Sequence, residues 1–238
     1  MVLATSIEDL VRKVYGATNG DISSFDNKTI LTPLNKDVNR LNDVVLDSMP
    51  GEMKIYHSHD SIPDGQVSDR ILYPPEYLNS IVLSSLPLHC LRLKIGCIVI
   101  LLRNLDATRG LCNGTRLRVD AFYPTLLKVT VVSQGAYYGH THCIPRIALY
   151  PNDSKTPFQF KRLQFPVRLA FAMSINKSQG QTLDKIGLYI PVPLFAHGHL
   201  YVALSRTRSG ASGIVLYDPR ENQPQLTNVV FTEVFTNA

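Results

Sequence analysis

The chain has 238 residues, of which 45% are hydrophobic and 18% are charged, and its formal net charge is +5 with a pI near 9.0. This length allows one large domain or two small ones, and the composition is ordinary for a soluble globular protein. No apolar run approaches the roughly 20 residues of a membrane helix, and the first ten residues lack the basic region of a secretion signal, so we expect an intracellular chain. The mild positive charge permits an anionic partner such as nucleic acid without requiring one.

The first part of the chain reads as helix, strand and helix. Apolar residues at 7, 10, 11, 14 and 15 have helical spacing and predict a helix over residues 7–15. Residues 28–31 read as a short buried strand. Thr32 is a suitable N-cap with Pro33 at the first helical position, and an apolar stripe then continues to about Met49, where Pro50 and Gly51 end the helix.

The middle of the chain changes to short β segments. Residues 51–90 mix short strand-like pieces with Pro, Gly and Ser, which is typical of a surface connection. From about residue 93 to 167, apolar or alternating runs are separated by turn signals such as Asn113-Gly114, and this spacing predicts a small barrel inserted in a larger sheet. The tail returns to a strand near residues 186–190, a helix over 197–204 and a strand over 213–217.

A polar loop directly follows the apolar segment that begins at residue 170. Residues 170–182 read AFAMSINKSQGQT, in which Lys177 supplies charge, Ser178 and Gln179 supply side-chain donors, and Gly180 allows close approach of the backbone. These are the groups that contact phosphate oxygens at the end of a strand. By composition alone, an ordinary polar loop is the more common interpretation.

A second block, YVALSR at residues 201–206, ends in an arginine after an apolar run. Together the two blocks resemble motifs V and VI of the PIF-type DNA helicases of superfamily 1, and in particular the helicase half of Helitron transposon proteins. Further strings extend the resemblance over about residues 28–220: ILTPLNKDV at 30–38 resembles motif IV, and LLRNLD at 101–106 with GLCNGTRL at 110–117 resembles the family's inserted domain.

The resemblance implies a fold, domains and partners. It implies an α/β fold, namely a second RecA-like helicase domain with a P-loop NTPase-like parallel sheet but no P-loop, and an inserted small SH3-like β-barrel. The implied domains are an N-terminal connecting segment at 1–27, the RecA-like domain at 28–92 and 167–238, and the barrel at 93–166. Implied partners are single-stranded DNA, duplex junctions and a first RecA-like domain. A nuclear location and roles in DNA repair, recombination and telomere maintenance are further expectations.

The resemblance also assigns roles to individual residues. Arg206 is expected to be the catalytic arginine finger that stabilises charge on the γ-phosphate. The nucleotide-facing set is Gln179, Gly180, Gln181 and Arg206. The expected nucleic acid-binding residues are Thr32, Asn35, Lys36, Ser174, Asn176, Lys177 and Ser178.

The sequence departs from the family pattern in one large respect. It contains no G-x-x-x-x-G-K-[ST] string and no Asp-Glu pair on an apolar strand, which in this family belong to the first RecA-like domain. ATP and Mg²⁺ are therefore expected as cofactors only through that domain, and we expect no ATP hydrolysis by this chain alone. Two smaller departures are Lys28-Thr29 where relatives carry Arg-Ala, and His199 where they carry Gln.

Two alternatives stay open at this point. The chain could be a degenerate, transposon-derived product that binds single-stranded DNA without a motor cycle. A metal-dependent enzyme is less favoured: two residues two apart on a strand share a face, but no zinc-type spacing of four ligands is present, so we predict no metal site. The candidate pairs are His57/His59, His140/His142 and His197/His199. The cysteines, which read as free thiols, are Cys90, Cys97, Cys112 and Cys143.

Overall fold

The structure is a computed structural model that describes residues 1–16, 25–63, 72–151, 158–208, 210–218, 226 and 228–231. Contacts divide the chain into two compact units: unit 1 is Met1–Pro50 with Ala170–Ala238, and unit 2 is Gly51–Leu169. None of the helices in the described ranges has the length and hydrophobicity to cross a membrane.

Unit 1 is built on a five-stranded parallel sheet. Its strands are β1 (Val2–Leu3), β2 (Lys28–Thr32), β13 (Ala172–Ser174), β14 (Lys185–Tyr189) and β15 (Ile214–Tyr217), in the spatial order β1-β15-β14-β2-β13. Every neighbouring pair is parallel, so all five carboxyl ends lie at one edge of the sheet. The parallel α/β sheet fits a RecA-like domain, as the resemblance implied.

Helices α1 (Ile7–Tyr15) and α2 (Asn35–Ser48) also belong to unit 1. The predicted helix over 7–15 is confirmed: Ser6 caps α1 by accepting from the backbone N–H of Asp9 at 3.1 Å, and the apolar face of α1 is buried. Helix α1 lies close to β14 at Gly187. A Cβ at Gly187 would lie 2.9 Å from the side chain of Val14 and 3.1 Å from that of Leu10, so glycine makes this close packing feasible. Residues 1–16, expected to belong to a connecting segment, therefore contribute β1 and α1 to unit 1.

The predicted start of α2 is wrong. Thr32 is the last residue of β2, and its backbone pairs in register with Ser174 of β13. The cap position is Leu34, in extended conformation, and its side chain makes no capping hydrogen bond. Pairing with β13 holds Thr32 in the strand, and Pro33 separates it from the cap position, so the helix begins later than the N-cap pattern suggests.

Unit 2 is mostly antiparallel. One sheet joins β3 (Lys54–His57) to β5 (Cys90–Leu93), and a second has the order β10-β11-β4 from Ile147–Leu149, Lys161–Gln164 and His59–Ser61. The third has the order β12-β6-β7-β8-β9, from Val167–Leu169, Ile98–Leu101, Arg116–Phe122, Leu126–Val131 and Thr141–Pro145. A short helix, α3 (Pro75–Ser80), precedes β5. Residues 51–92, which the predicted domain division joined to the parallel sheet, group with these strands.

A buried ion pair lies inside unit 2, beside a cluster of Leu78, Leu86, Leu149 and Phe160. Arg162 of β11 and Asp60 of β4 are paired in register, and their side chains are 1% and 0% exposed. The guanidinium donates to both carboxylate oxygens of Asp60 at 2.7–3.2 Å and to the carbonyl oxygens of Leu78, Ile81 and Pro87. All of its N–H groups therefore have acceptors, as a buried charge requires.

Candidate nucleic-acid and nucleotide-facing site

The candidate site lies at the carboxyl edge of the parallel sheet. Strand β2 ends at Thr32 and β13 ends at Ser174, and these two residues are partners in the ladder. Neighbouring strands lie about 4.8 Å apart, so the segments that leave them start side by side. Open α/β sheets bind ligands at this edge. The backbone therefore brings the motif IV and motif V segments together.

Four of the predicted nucleic acid-binding residues are exposed at this edge. Asn35 and Lys36 begin α2, and Asn176 and Lys177 lie on the 3-10 helical turn Ile175–Ser178 that follows β13. The cap residue Leu34 makes no side-chain bond to the first turn of α2, and the N–H groups of a helix N-terminus favour an anion. Two lysines, two amides and a helix N-terminus are thus presented by adjacent segments.

The other three predicted nucleic acid-binding residues are buried. Thr32 and Ser178 are 0% exposed, and Ser174 is 9% exposed. The hydroxyl of Ser178 donates to the carbonyl oxygen of Ile175 at 2.6 Å, so it stabilises the turn. The sequence pattern marks this serine as a phosphate contact, but the geometry gives it a local structural contact instead. The hydroxyl oxygen of Thr32 is buried with no hydrogen-bond partner among the described residues.

The segment after the turn carries the predicted nucleotide-facing residues. Gly180 has a φ of +80°, which favours glycine, and it is exposed together with Gln179. Gln181 is half-buried, and its backbone N–H donates to the carbonyl oxygen of Ser178 at 3.0 Å. The chain then continues to Leu183, whose backbone pairs with the segment around Thr207.

Arg206 lies against this segment, just after helix α4 (His199–Leu204). Its Nε donates to the carbonyl oxygen of Val202 at 2.9 Å, one Nη donates to the carbonyl oxygen of Gln181 at 3.3 Å, and the other donates to the hydroxyl of Ser205 at 2.9 Å. Within the part of the chain that the structure describes, three of its five N–H groups have acceptors, which leaves two for an anionic ligand. Arg206 and Gln181, predicted to act together, are therefore in contact.

His199 begins α4 and is 3% exposed. Its ring packs edge-on against Phe195, with centroids 5.3 Å apart, and both ring nitrogens are buried without a hydrogen-bond partner among the described residues. Burial lowers the pKa of His199 below its usual value, because the charged imidazolium would lose its hydration. A neutral, buried ring is thus part of the packing under the helix that precedes Arg206.

The His-x-His pairs do not assemble a metal centre in the described ranges, where no group of three or more His, Cys, Asp or Glu side chains could hold an ion. His57 and His59 lie on different strands, β3 and β4. The ring of His57 lies instead against that of His89, with centroids 5.3 Å apart.

Comparison with known protein families identifies related sequences. The family described as "DNA helicase Pif1, 2B domain" matches residues 76–122, inside unit 2. The ATP-dependent DNA helicase PIF1 of Danio rerio is 32% identical over 208 residues, which cover 82% of this chain and 28% of that protein. The PIF1 helicase of Homo sapiens is 32% identical over 184 residues, which cover 73% and 24%. The chain thus spans about a quarter of the length of these relatives.

Solved structures show the same fold. The Bacteroides Pif1 helicase in complex with ADP-AlF3 and ssDNA matches with a TM-score of 0.62 at 24% identity, over 98% of this chain and 49% of that one. The Candida albicans Pif1 helicase matches with a TM-score of 0.63 at 21% identity, over 97% and 53%. At these identities the structures support the fold, and the sequence relatives support the family. The chain therefore corresponds to the C-terminal portion of a PIF1-type DNA helicase.

Proposed function

We propose that this chain is the part of an ATP-dependent 5′-to-3′ DNA helicase that binds single-stranded DNA at the carboxyl edge of its parallel sheet. The observation that carries the proposal is the pairing of Thr32 with Ser174, which sets Asn35 and Lys36 beside Asn176 and Lys177. These residues supply two cations and two amide side chains to one strand. Contacts of this kind go to phosphates and sugars, so the binding would be independent of base sequence.

The nucleotide side of the proposal rests on Arg206. ATP, bound as its Mg²⁺ complex, would supply the free energy for movement along DNA. The residues of this chain fit one wall of such a site: Arg206 keeps two N–H groups for phosphate oxygens, and Gly180 leaves the backbone open. They do not fit the other wall, because the phosphate-binding loop and the Mg²⁺ carboxylates are missing from the sequence. We assign that wall to a first RecA-like domain.

The role of Arg206 in this proposal is electrostatic. Its bonds to Val202 and Gln181 hold the guanidinium at the end of α4 before any nucleotide arrives. A preorganised cation of this kind stabilises charge that develops during phosphoryl transfer. Closure of the two domains would bring Arg206 to the phosphates, and reopening after hydrolysis would move the DNA strand.

We also propose that the five-stranded sheet of unit 2 is an SH3-like inserted barrel that contacts single-stranded DNA or a duplex junction. Its support is the antiparallel order of β12-β6-β7-β8-β9 and the match of residues 76–122 to the 2B family. Arg109, 72% exposed, and Tyr138, 54% exposed, are side chains that could contact a phosphate and a base.

A second candidate function is single-stranded DNA binding without a motor cycle. It is favoured by one observation: the exposed residues Asn35, Lys36, Asn176 and Lys177 lie at one edge of the sheet, where they can contact a DNA strand without a bound nucleotide. The two functions differ in the size of the native protein. An antibody raised against this chain would capture the native protein, whose size and ATPase activity are then measured. The first function requires a longer product with ATPase activity, and the second requires a product of this length without it.

The test of DNA binding is fluorescence anisotropy with labelled oligo-dT at two salt concentrations. The variant Lys36→Ala/Lys177→Ala removes two charges from the proposed edge. The matched control, Lys28→Ala/Lys185→Ala, removes two charges from the opposite edge of the same sheet, where Lys28 and Lys185 begin β2 and β14. We expect salt-sensitive binding that is abolished in the first variant and kept in the control. Equal weakening in both would show only a general charge effect and would contradict the proposal.

A phosphate-release assay on the chain alone tests the nucleotide side. We expect no ATP hydrolysis, with or without oligo-dT. Robust hydrolysis that survives in Arg206→Ala would contradict both the assigned role of Arg206 and the need for a second domain.

A further inference from the structure

Strand β13 lies at the edge of the parallel sheet, so one side of its backbone has no strand partner among the residues that the structure describes. On that side, the amide of Asn42 from α2 acts as the partner of Ala172. Its Oδ1 accepts from the N–H of Ala172 at 2.9 Å, and its Nδ2 donates to the carbonyl oxygen of Ala172 at 3.1 Å. The side chain thereby supplies the pair of bonds that a further strand would provide.

The orientation of this amide is determined by its bonds. The second N–H of Nδ2 donates to the carbonyl oxygen of Val38 at 2.9 Å, so both amide hydrogens are used. Asn42 is 4% exposed, and exchanging its nitrogen and oxygen would place like groups against Ala172. The amide is therefore a fixed connection between α2 and β13.

The connection lies close to both DNA-facing segments. Asn42 follows Asn35 by seven residues, about 10 Å along α2. Ala172 precedes Ser174 by two residues, about 7 Å along β13, and the turn with Asn176 and Lys177 follows at once. Pairing with β2 holds β13 from one side, and Asn42 holds it from the other, so the separation of the two segments depends on this amide.

We propose that Asn42 is a positioning residue for nucleic-acid binding: it holds the segment at Asn176 and Lys177 at the spacing from Asn35 and Lys36 that lets both contact one strand. This inference rests on the proposed function. Asn42 touches no ligand itself. Without it, α2 and β13 remain formed, but the two segments can move relative to each other and fewer phosphates are neutralised at once.

The test compares Asn42→Ala with Val14→Ala. Val14 is 0% exposed in α1 and packs on Gly187, so its truncation destabilises unit 1 away from the edge. If Asn42→Ala does not fold, Asn42→Ser replaces it, because serine can still bond to the carbonyl oxygen of Val38 but does not reach Ala172. Oligo-dT affinity and its salt dependence are measured at a temperature where every variant is folded by circular dichroism.

We expect Asn42→Ala to weaken binding about tenfold and to reduce the slope of log K against log salt by about 0.7 for each phosphate that the protein no longer neutralises. We expect Val14→Ala to stay within about twofold of the parent and to keep its slope. Hydrogen exchange should become faster at residues 172–178 in Asn42→Ala only.

Two results would overturn the proposal, and they are distinguishable. If the parent binds oligo-dT and both variants bind with the same affinity and slope, the positioning role is wrong while the proposed function stands. If the parent chain does not bind oligo-dT at low salt, the proposed function fails and this inference fails with it.

Discussion

The substitution Arg162→Met should be among the most damaging single changes in unit 2. The arginine is 1% exposed, it neutralises the fully buried carboxylate of Asp60, and it donates to three carbonyl oxygens. Removing one partner of a buried pair costs about 3–5 kcal/mol, because the remaining charge is left without compensation. A domain is typically stable by about 5–15 kcal/mol, so this cost is a large share of the total.

Native-state hydrogen exchange measured by mass spectrometry separates the two units and suits a chain that contains no tryptophan. We expect the protection of peptides around α3 and β5 to fall by about 4 kcal/mol in Arg162→Met, while peptides of α1 and β14 keep theirs. The double variant Arg162→Met/Asp60→Leu should recover part of this protection, because it removes the orphaned charge.

A matched control uses an exposed arginine of the same unit. Arg109 is 72% exposed and lies 3.5 Å from Asp106. Exposed pairs contribute about 0–1 kcal/mol, so Arg109→Met should change protection little. If Arg162→Met lowers protection no more than Arg109→Met does, the expectation is refuted, because the buried pair would then stabilise unit 2 no more than an exposed pair.

Three further predictions concern unit 1 and the thiols. Gly187→Ala should lower the free energy of unfolding of unit 1 by about 1–3 kcal/mol in thermal denaturation, because the new Cβ meets α1 at close range; unchanged stability would mean that α1 can shift freely. Burial lowers the pKa of His199, so unit 1 should lose stability as the pH falls below about 6.5, and His199→Gln should remove that part of the dependence. Burial raises the pKa of Cys97 to about 12, so a thiol reagent should label exposed Cys90 and Cys143 quickly and Cys97 only on unfolding.

Most elements of unit 1 were predictable because its strands are short apolar runs followed by recognisable motif loops, whereas their arrangement as a parallel sheet was implied by the family resemblance. Strand β2, helix α1 and strand β15 lie where periodicity and turn signals placed them. The strand β1 was not predicted, since two residues carry no periodic signal and its pairing with β15 joins distant parts of the chain. The domain division that the resemblance implied joined residues 51–92 to the parallel sheet, whereas in the structure they group with unit 2. Their pairing could not be read from local patterns, because β4 pairs with β11, which lies far away along the chain.

The candidate site was predictable as a set of segments but not side chain by side chain. The contact between Arg206 and Gln181 agrees with the predicted grouping. The burial of Ser178 could not be read from the motif, because its hydroxyl looks the same in sequence whether it faces a ligand or a carbonyl oxygen. Asn42 was missed for a similar reason: the sequence shows one polar residue within the apolar stripe of α2, but it does not show which backbone groups the amide would bond.

Unit 1 is assembled from two stretches of chain that are separated by all of unit 2. Strands β14 and β13 flank β2, so β2 has no neighbour on either side until residues beyond 170 have been made. During synthesis on the ribosome, the segment Gly51–Leu169 is complete before the residues beyond 170 are made. It can fold at that stage, whereas the apolar strand β2 is still unpaired and exposed. Such non-local pairing slows folding, and nascent chains of this protein should therefore depend on chaperones more than a chain with the same strands in sequential order.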